Sequence, residues 1–213
     1  SGCAFIEVNS KGQNRIIVSA GTNRMYTEEY IKNVLEKAEA GDFVLLQNEI
    51  NMVGEIIRLS HEKGCRVVFN ASPIPGKPEE LPLELVDIFM VNELEAAALA
   101  GTSTEGDFRD ILKALQKKYP KAAIVMTLGK EGVFYGYKEE FYSHPIFKVN
   151  AVDTTAAGDT FCGYFLAALC AEKSVETALR EASAASAMAV SAKGAAPSIP
   201  VHSAVEEWLC GRS

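Results

Sequence analysis

Long apolar runs are missing from this 213-residue chain, so no segment reads as a bilayer-spanning helix. Basic residues are the minority, 21 against 28 acidic, for a net charge of −7, and they form no patch or stripe. Nucleic acid and an anionic membrane surface are therefore poor candidates for the main partner. ATP is not excluded, because phosphates are held by local dipoles and metal ions rather than by global charge. Histidine is scarce: His61, His144 and His202 are scattered without metal-ligand spacing, and we assign them no site. The cysteines are Cys3, Cys65, Cys162, Cys170 and Cys210, odd in number, widely spaced and without a CxxC pair. That pattern argues against a disulfide framework. Cys65, Cys162 and Cys170 lie in apolar stretches and are expected to be buried reduced thiols. With no secretory signal pattern, a cytoplasmic location is expected. No GxGxxG follows an early strand, which removes a nicotinamide-binding dehydrogenase. An initiator methionine is missing too: Ser1 leads straight into strand-like CAFIEV. We expect either an altered start or the C-terminal part of a longer chain.

What is present alternates between strands and helices. Cys3–Val8 and Arg15–Ser19 read as strands joined by a turn at Ser10–Asn14. Thr27 opens a helix, with Glu28 and Glu29 in its first turn. Strands are expected at Asp42–Leu46, Cys65–Asn70, Asp87–Val91 and Ala122–Thr127. Between them come helices at Met52–Lys63, Glu93–Ala100 and about Glu105–Lys118, with a proline-rich loop, SPIPGKPEELP, after Asn70. A hairpin at Gly132–Tyr137 and Glu140–Ser143 precedes helices at Asp159–Ala171, Val175–Ala192 and Ser203–Leu209. The strands FVLL, RVVF and AIVM are continuously apolar, as in a mostly parallel sheet covered on both faces. The expected fold is a three-layer α-β-α architecture. Ligands bind beyond the carboxyl ends of such strands. Trp208, in the last helix, is expected to pack in the core or an interface.

The most informative segment is AVDTTAAGDTFCGY, Ala151 to Tyr164. Small residues just before an apolar helix let backbone N–H groups approach a phosphate, and the helix N-terminus adds partial positive charge. Asp159 beside such an anion site is unfavourable unless it has chemistry to do. A carboxylate that accepts a hydroxyl proton next to an anion hole is the minimum apparatus for phosphoryl transfer to an alcohol.

Other segments have plain structural readings beside functional ones. Asn92 and Glu95 fit a capping box, and also fit residues that order water around a phosphate-bound Mg²⁺. Thr127-Leu128-Gly129-Lys130-Glu131-Gly132 fits a tight turn, or a loop lying close to a nucleotide. Glu49, just past a strand, fits a solvated loop residue, or a carboxylate that grips sugar hydroxyls. Lys193 to Ser198 fits an ordinary helix stop at Gly194 and Pro197, though carbonyls at a helix end also coordinate cations.

Together these segments resemble the ribokinase-like (PfkB) carbohydrate kinases. Asp153 to Phe161 resembles the family's C-terminal signature, Asn92-x-x-Glu95 its magnesium-associated motif, and Thr127-Leu128-Gly129-x-x-Gly132 its nucleotide loop. Lys193-Gly194-Ala195-x-Pro197-Ser198 resembles the ending of the ribokinase branch, and Gly2-x-Ala4-x-Ile6 and Ala20-Gly21-Thr22-Asn23 are similar to that branch as well. The likeness runs in order from Gly2 to about Trp208.

The resemblance implies roles. Asp159 would take the proton of a sugar's primary hydroxyl, with the N–H groups of Ala156, Ala157 and Gly158 as the anion hole. Thr127 to Gly132, Gly158 and Ser183 would border ATP, with Asn92 nearby. Asn92 and Glu95 would serve Mg²⁺ through water, and Glu49 would hold the sugar. A K⁺ site would use Asp153, Thr155, Ala189, Ala192, Gly194 and Ser198. The implied reaction turns D-ribose and ATP into D-ribose 5-phosphate and ADP, with homodimerisation through the lid of a full-length protein. Many members carry glycine where this chain has Ala156, so we expect that backbone in an ordinary region.

Members of the family carry roughly a third more chain before the position of Gly2, about a small domain. That portion holds the first strands, most of the lid and most sugar-binding groups. Residues 1–22 would then be a remnant of the lid hairpin and 23–213 the nucleotide-binding core. A nucleotide-binding fragment without kinase activity is the rival reading. Fructose, deoxyribose, adenosine and pseudouridine are rival acceptors.

Overall fold

A computed structural model describes residues 2–8 and 14–212. The chain divides into two units, Ser1–Phe89 and Met90–Ser213.

In the first unit, β1 (Cys3–Val8) and β2 (Asn14–Ser19) pair antiparallel, Cys3 opposite Ser19. The turn expected at Ser10–Asn14 lies, apart from Asn14, outside the described residues. Helix α1 (Glu28–Leu35) starts where expected, because the Thr27 hydroxyl accepts the Tyr30 N–H at 3.2 Å. Then follow β3 (Phe43–Gln47), α2 (Val53–Glu62) and β4 (Arg66–Asn70). β3 and β4 pair in parallel, Phe43 opposite Arg66. Val67, Val68 and Phe69 of β4 are all fully buried, as a strand covered on both faces requires. Ile31 and Leu35 of α1 and Val53, Ile56 and Ile57 of α2 are buried too, each contributing roughly 1.5–3 kcal/mol. Asp87 steers the chain into β5 (Ile88–Asn92): its carboxylate accepts the Val67 N–H at 2.7 Å, and its own N–H donates to the Val67 carbonyl at 2.8 Å.

In the second unit, α3 (Glu93–Ala100) and α4 (Phe108–Lys118) precede β6 (Ala123–Thr127), β7 (Val133–Tyr137) and β8 (Glu140–His144). α4 starts three residues later than its spacing suggests. Gly106 has φ 123°, which no helix admits, and Asp107 caps the helix by accepting the Arg109 N–H at 2.8 Å. β7 pairs antiparallel with both β6 and β8, which bears out the hairpin. Three helices finish the chain: α5 (Ala157–Cys170), α6 (Val175–Val190) and α7 (His202–Cys210). α5 and α6 pack together, and Phe161, Phe165 and Ala168 of α5 and Ala178, Ala182 and Ala185 of α6 are all buried. Small side chains on α6 let the two backbones approach closely.

Two sequence readings of side chains meet different outcomes. Trp208 packs edge-on against Phe147 at 5.0 Å, and Arg212 lies over its ring at 3.7 Å. Cys65 and Cys162 are buried, but Cys170 is exposed. The buried stripe of α5 runs through Phe161, Cys162, Phe165, Leu166 and Ala168, and position 170 falls off it. Among the described residues no helix is long and apolar enough to cross a membrane.

Candidate active site

The loop before α5 is held by bonds to residues far along the chain. The Val190 carbonyl, at the end of α6, accepts the N–H groups of Val152 at 2.7 Å and Asp153 at 3.2 Å. Asp153 spreads its carboxylate over two donors: Oδ1 accepts the Thr155 N–H and Oδ2 the Gly194 N–H, each at 3.0 Å. A hydrogen bond from the Thr155 side chain, then the two N–H groups, pulls its pKa down to about 2. The carboxylate is thus firmly ionised at neutral pH.

Ala156 does not lie in the ordinary region expected of it. Its φ of 59° and ψ of 13° are left-handed. For alanine this costs roughly 1–2 kcal/mol. The conformation is fixed by Thr160, which sends both its N–H (2.9 Å) and its hydroxyl (2.8 Å) to the Ala156 carbonyl. Thr160 is buried. The kink starts α5 at Ala157, two residues earlier than its sequence suggests, so Gly158 and Asp159 both fall in the first turn. N–H groups there have no carbonyl acceptor within the helix. Ala157 nevertheless donates to Thr154 across 3.3 Å, a weak bond. The Ala157 carbonyl accepts the Ser186 hydroxyl from α6 at 3.0 Å.

The N-terminus of α5 closes one end of a cavity of about 580 Å³. Thr127, Gly129, Lys130 and Gly132 line it from the turn after β6, and Gly158 and Ser183 from α5 and α6. These are six of the nine residues expected to border a nucleotide. Leu128 is buried, and it donates to the Gly132 carbonyl at 2.8 Å, closing the turn. Glu131 is exposed. Gly132 cannot be replaced: its φ is 100°, and a Cβ would lie 2.2 Å from the His144 carbonyl oxygen. Gly158 is the opposite case, because a Cβ there meets nothing within 4 Å. Neither backbone nor packing demands its glycine, and the space above it belongs to the cavity.

The sequence reading missed the cavity wall formed by Ile146, Phe147, Lys148 and Val149. That segment is neither helix nor strand and carries no periodicity. Ser186 was missed as well, since its contact spans 29 residues. Asp159, adjacent to Gly158, lines a separate cavity of about 360 Å³ with Gly163, Tyr164 and the Lys173–Glu181 ion pair, 2.7 Å apart.

Asn92 and Glu95 form the capping box in full. The Asn92 side chain accepts the Glu95 N–H, and the Glu95 carboxylate accepts the Asn92 N–H, both at 2.9 Å. Among the residues expected to hold a cation, Asp153, Thr155 and Gly194 are bonded together. Ala189 accepts the Ala192 N–H at 3.1 Å at the end of α6, and Ser198 bonds through its hydroxyl to the Ala195 carbonyl at 2.8 Å. No group of three or more histidine, cysteine or acidic side chains is placed to hold a metal among the described residues. Glu49 lies in the first unit, exposed in the turn after β3. Nearby, Asn51 clamps Tyr26, accepting its N–H at 3.0 Å and donating to its carbonyl at 2.8 Å.

A family described as "pfkB family carbohydrate kinase" matches residues 1–202. The ribokinase of Haemophilus influenzae is 36% identical over 213 residues, which is 98% of this chain and 69% of that protein. The crystal structure of a Thermotoga maritima ribokinase superposes with a TM-score of 0.85 at 36% identity, covering 99% of this chain and 70% of that one. An Arabidopsis thaliana ribokinase, complexed with ribose and ATP, gives 0.82 at 31% identity, covering 98% and 69%. The fold is that of these structures, three-layer α/β with a mostly parallel central sheet. The chain belongs to the pfkB family of carbohydrate kinases and is a ribokinase-like, ATP-dependent sugar kinase.

Proposed function

We propose that the protein phosphorylates D-ribose on its primary hydroxyl, with Asp159 as the base and the first turn of α5 as the anion hole. One observation carries this reading. Gly158 lines the cavity that runs from the nucleotide turn, while its neighbour Asp159 lines a different one. On this reading, backbone N–H groups able to bind phosphate and a carboxylate able to accept a proton stand side by side on one helical turn, which suits in-line transfer.

The hydroxyl oxygen attacks the γ-phosphorus as its proton passes to Asp159. The bond to the β–γ bridging oxygen breaks, and ADP leaves. The N–H groups of Ala156 and Gly158, with that of Ala157 once it turns from Thr154, stabilise the charge on the transferring group. The adenine side of ATP occupies the cavity between the 127–132 turn and Ser183. Glu49 grips sugar hydroxyls.

Two ions enter this reading. Asn92 and Glu95 would order water around Mg²⁺, which would supply charge neutralisation on the phosphates. The oxygen-only donor set of Asp153, Thr155, Ala189, Ala192, Gly194 and Ser198 suits K⁺. Asp153 is already ionised there and tied to both flanking loops, so a cation would rigidify the anion-hole loop. Phe5, Ile17 and Val18 of the β1–β2 pair are at least half exposed, which supports self-association of a lid formed by residues 1–22. Five cysteines with no disulfide among them support a cytoplasmic location.

The test is ADP release with D-ribose and Mg·ATP, in K⁺ and in tetramethylammonium. Ribose-dependent release, enhanced by K⁺ and abolished in Asp159→Asn with ATP binding retained, is the expected result. ATP binding without ribose-dependent release in the unmodified protein overturns the reading in favour of nucleotide binding alone.

A further inference from the structure

We propose that Ser186 is a positioning residue for phosphoryl transfer: its hydroxyl locks the anion-hole turn of α5 to the nucleotide wall on α6. The inference rests on reading the cavity as the ATP site.

A serine inside a helix ordinarily turns its hydroxyl back to the carbonyl four residues earlier. Ser191, on the same helix, does this, donating to the Ala187 carbonyl at 2.8 Å. Ser186 does not. It reaches across to α5 and donates to the Ala157 carbonyl at 3.0 Å. The residues around it on α6, Ala182, Ala184, Ala185 and Ala187, are buried alanines that offer no polar group to hold anything in register. Ala157 is the first residue of α5, so its carbonyl already has an intrahelical acceptor role by helix geometry. A second donor there is not needed to satisfy it. The bond instead sets where the first turn sits.

Ser183 and Ser186 are three residues apart and lie on one face of α6. Both line the cavity, as do Ala157 and Gly158. The hydroxyl therefore joins the wall that meets the nucleoside to the turn that meets the terminal phosphate. Losing it lets the turn shift against the wall, which affects a nucleotide long enough to touch both and spares one that touches only the wall.

The experiment compares β,γ-imido-ATP with AMP, each titrated into the whole protein with Mg²⁺ by calorimetry, so turnover is not needed. In Ser186→Ala, and in the size-matched Ser186→Cys, β,γ-imido-ATP should bind about five- to tenfold more weakly. AMP should stay within about twofold of the unmodified protein. Ser186→Thr, which keeps the hydroxyl, should restore the β,γ-imido-ATP affinity. Equal weakening of both nucleotides, or no weakening of either, overturns the positioning role while leaving the ATP site standing. Failure of the unmodified protein to bind β,γ-imido-ATP overturns the ATP-site reading and this inference with it.

Discussion

Asp153 and Gly194, 41 residues apart in the chain, are joined by a 3.0 Å hydrogen bond from the glycine N–H to carboxylate Oδ2. The bond ties the loop before α5 to the loop after α6. The carboxyl is pulled from its ordinary 3.8 to about 2, first by the Thr155 side chain and then by the Thr155 and Gly194 N–H groups. A depressed carboxyl stabilises the fold above its unfolded value and ceases to do so as pH falls through its folded one. The tie should thus be intact above about pH 4 and released as pH drops through about 2. The Gly194 amide resonance, followed by NMR, should titrate with a midpoint near the lower value; a midpoint at the ordinary value of aspartate would refute the assignment. Asp153→Asn should speed amide exchange at Gly194 or at Thr155 at neutral pH, because the carboxamide has one oxygen in place of the two that now accept these N–H groups.

Gly132→Ala should be severely destabilising. The new methyl would meet the His144 carbonyl oxygen at 2.2 Å and the Pro145 Cα at 2.9 Å, both backbone, at a φ of 100°. Neither neighbour is the flexible end of a side chain. Strain and overpacking together cost on the order of 3 kcal/mol or more. Urea denaturation should show the midpoint falling with little change in slope. A midpoint like that of the unmodified protein would mean that the turn is looser than its geometry.

Much of this site was legible because glycine and aspartate announce themselves. Gly158-Asp159 before an apolar helical run marks a helix N-terminus with a carboxylate on it, and the Asn92/Glu95 spacing spells a capping box. Ala156 is where legibility fails. A left-handed backbone is signalled by glycine, and here alanine holds it only because Thr160 binds its carbonyl twice. The start of α5 was misread for that reason. Ser186 and the 146–149 wall were hidden for a second reason. Their roles come from contacts across the fold, which leave no local period or turn signal. Cys170 shows the limit of composition: an apolar neighbourhood does not say which side of a helix a residue takes.

Gly158→Ala separates backbone need from ligand need. Its φ is not positive and its surroundings are empty, so the fold should tolerate the methyl. Helix propensity favours alanine by up to about 1 kcal/mol, so thermal stability should hold or rise slightly. The methyl would occupy the space above the N–H groups that we propose as the anion hole. Affinity for β,γ-imido-ATP should fall by about tenfold or more while the melting temperature holds. Unchanged affinity would show that no phosphate approaches Gly158.

Asn92 tests whether a cap and a catalytic accessory share one side chain. Its Oδ1 holds the Glu95 N–H and its own N–H is held by the Glu95 carboxylate. Asn92→Ala removes the first bond and should cost about 1 kcal/mol of stability. Asn92→Asp retains an oxygen at the same place and should keep most of it. The two variants diverge in the kinase assay if the residue also orders water around Mg²⁺. Asp adds a negative charge near the phosphates and a stronger acceptor for metal-bound water, so its Mg²⁺ requirement should shift, while Asn92→Ala should show a raised requirement on top of its lost stability. Titrating activity against Mg²⁺ at fixed ATP reads this directly. Variants that differ in melting temperature but share one Mg²⁺ curve with the unmodified protein would leave Asn92 a helix cap and nothing more.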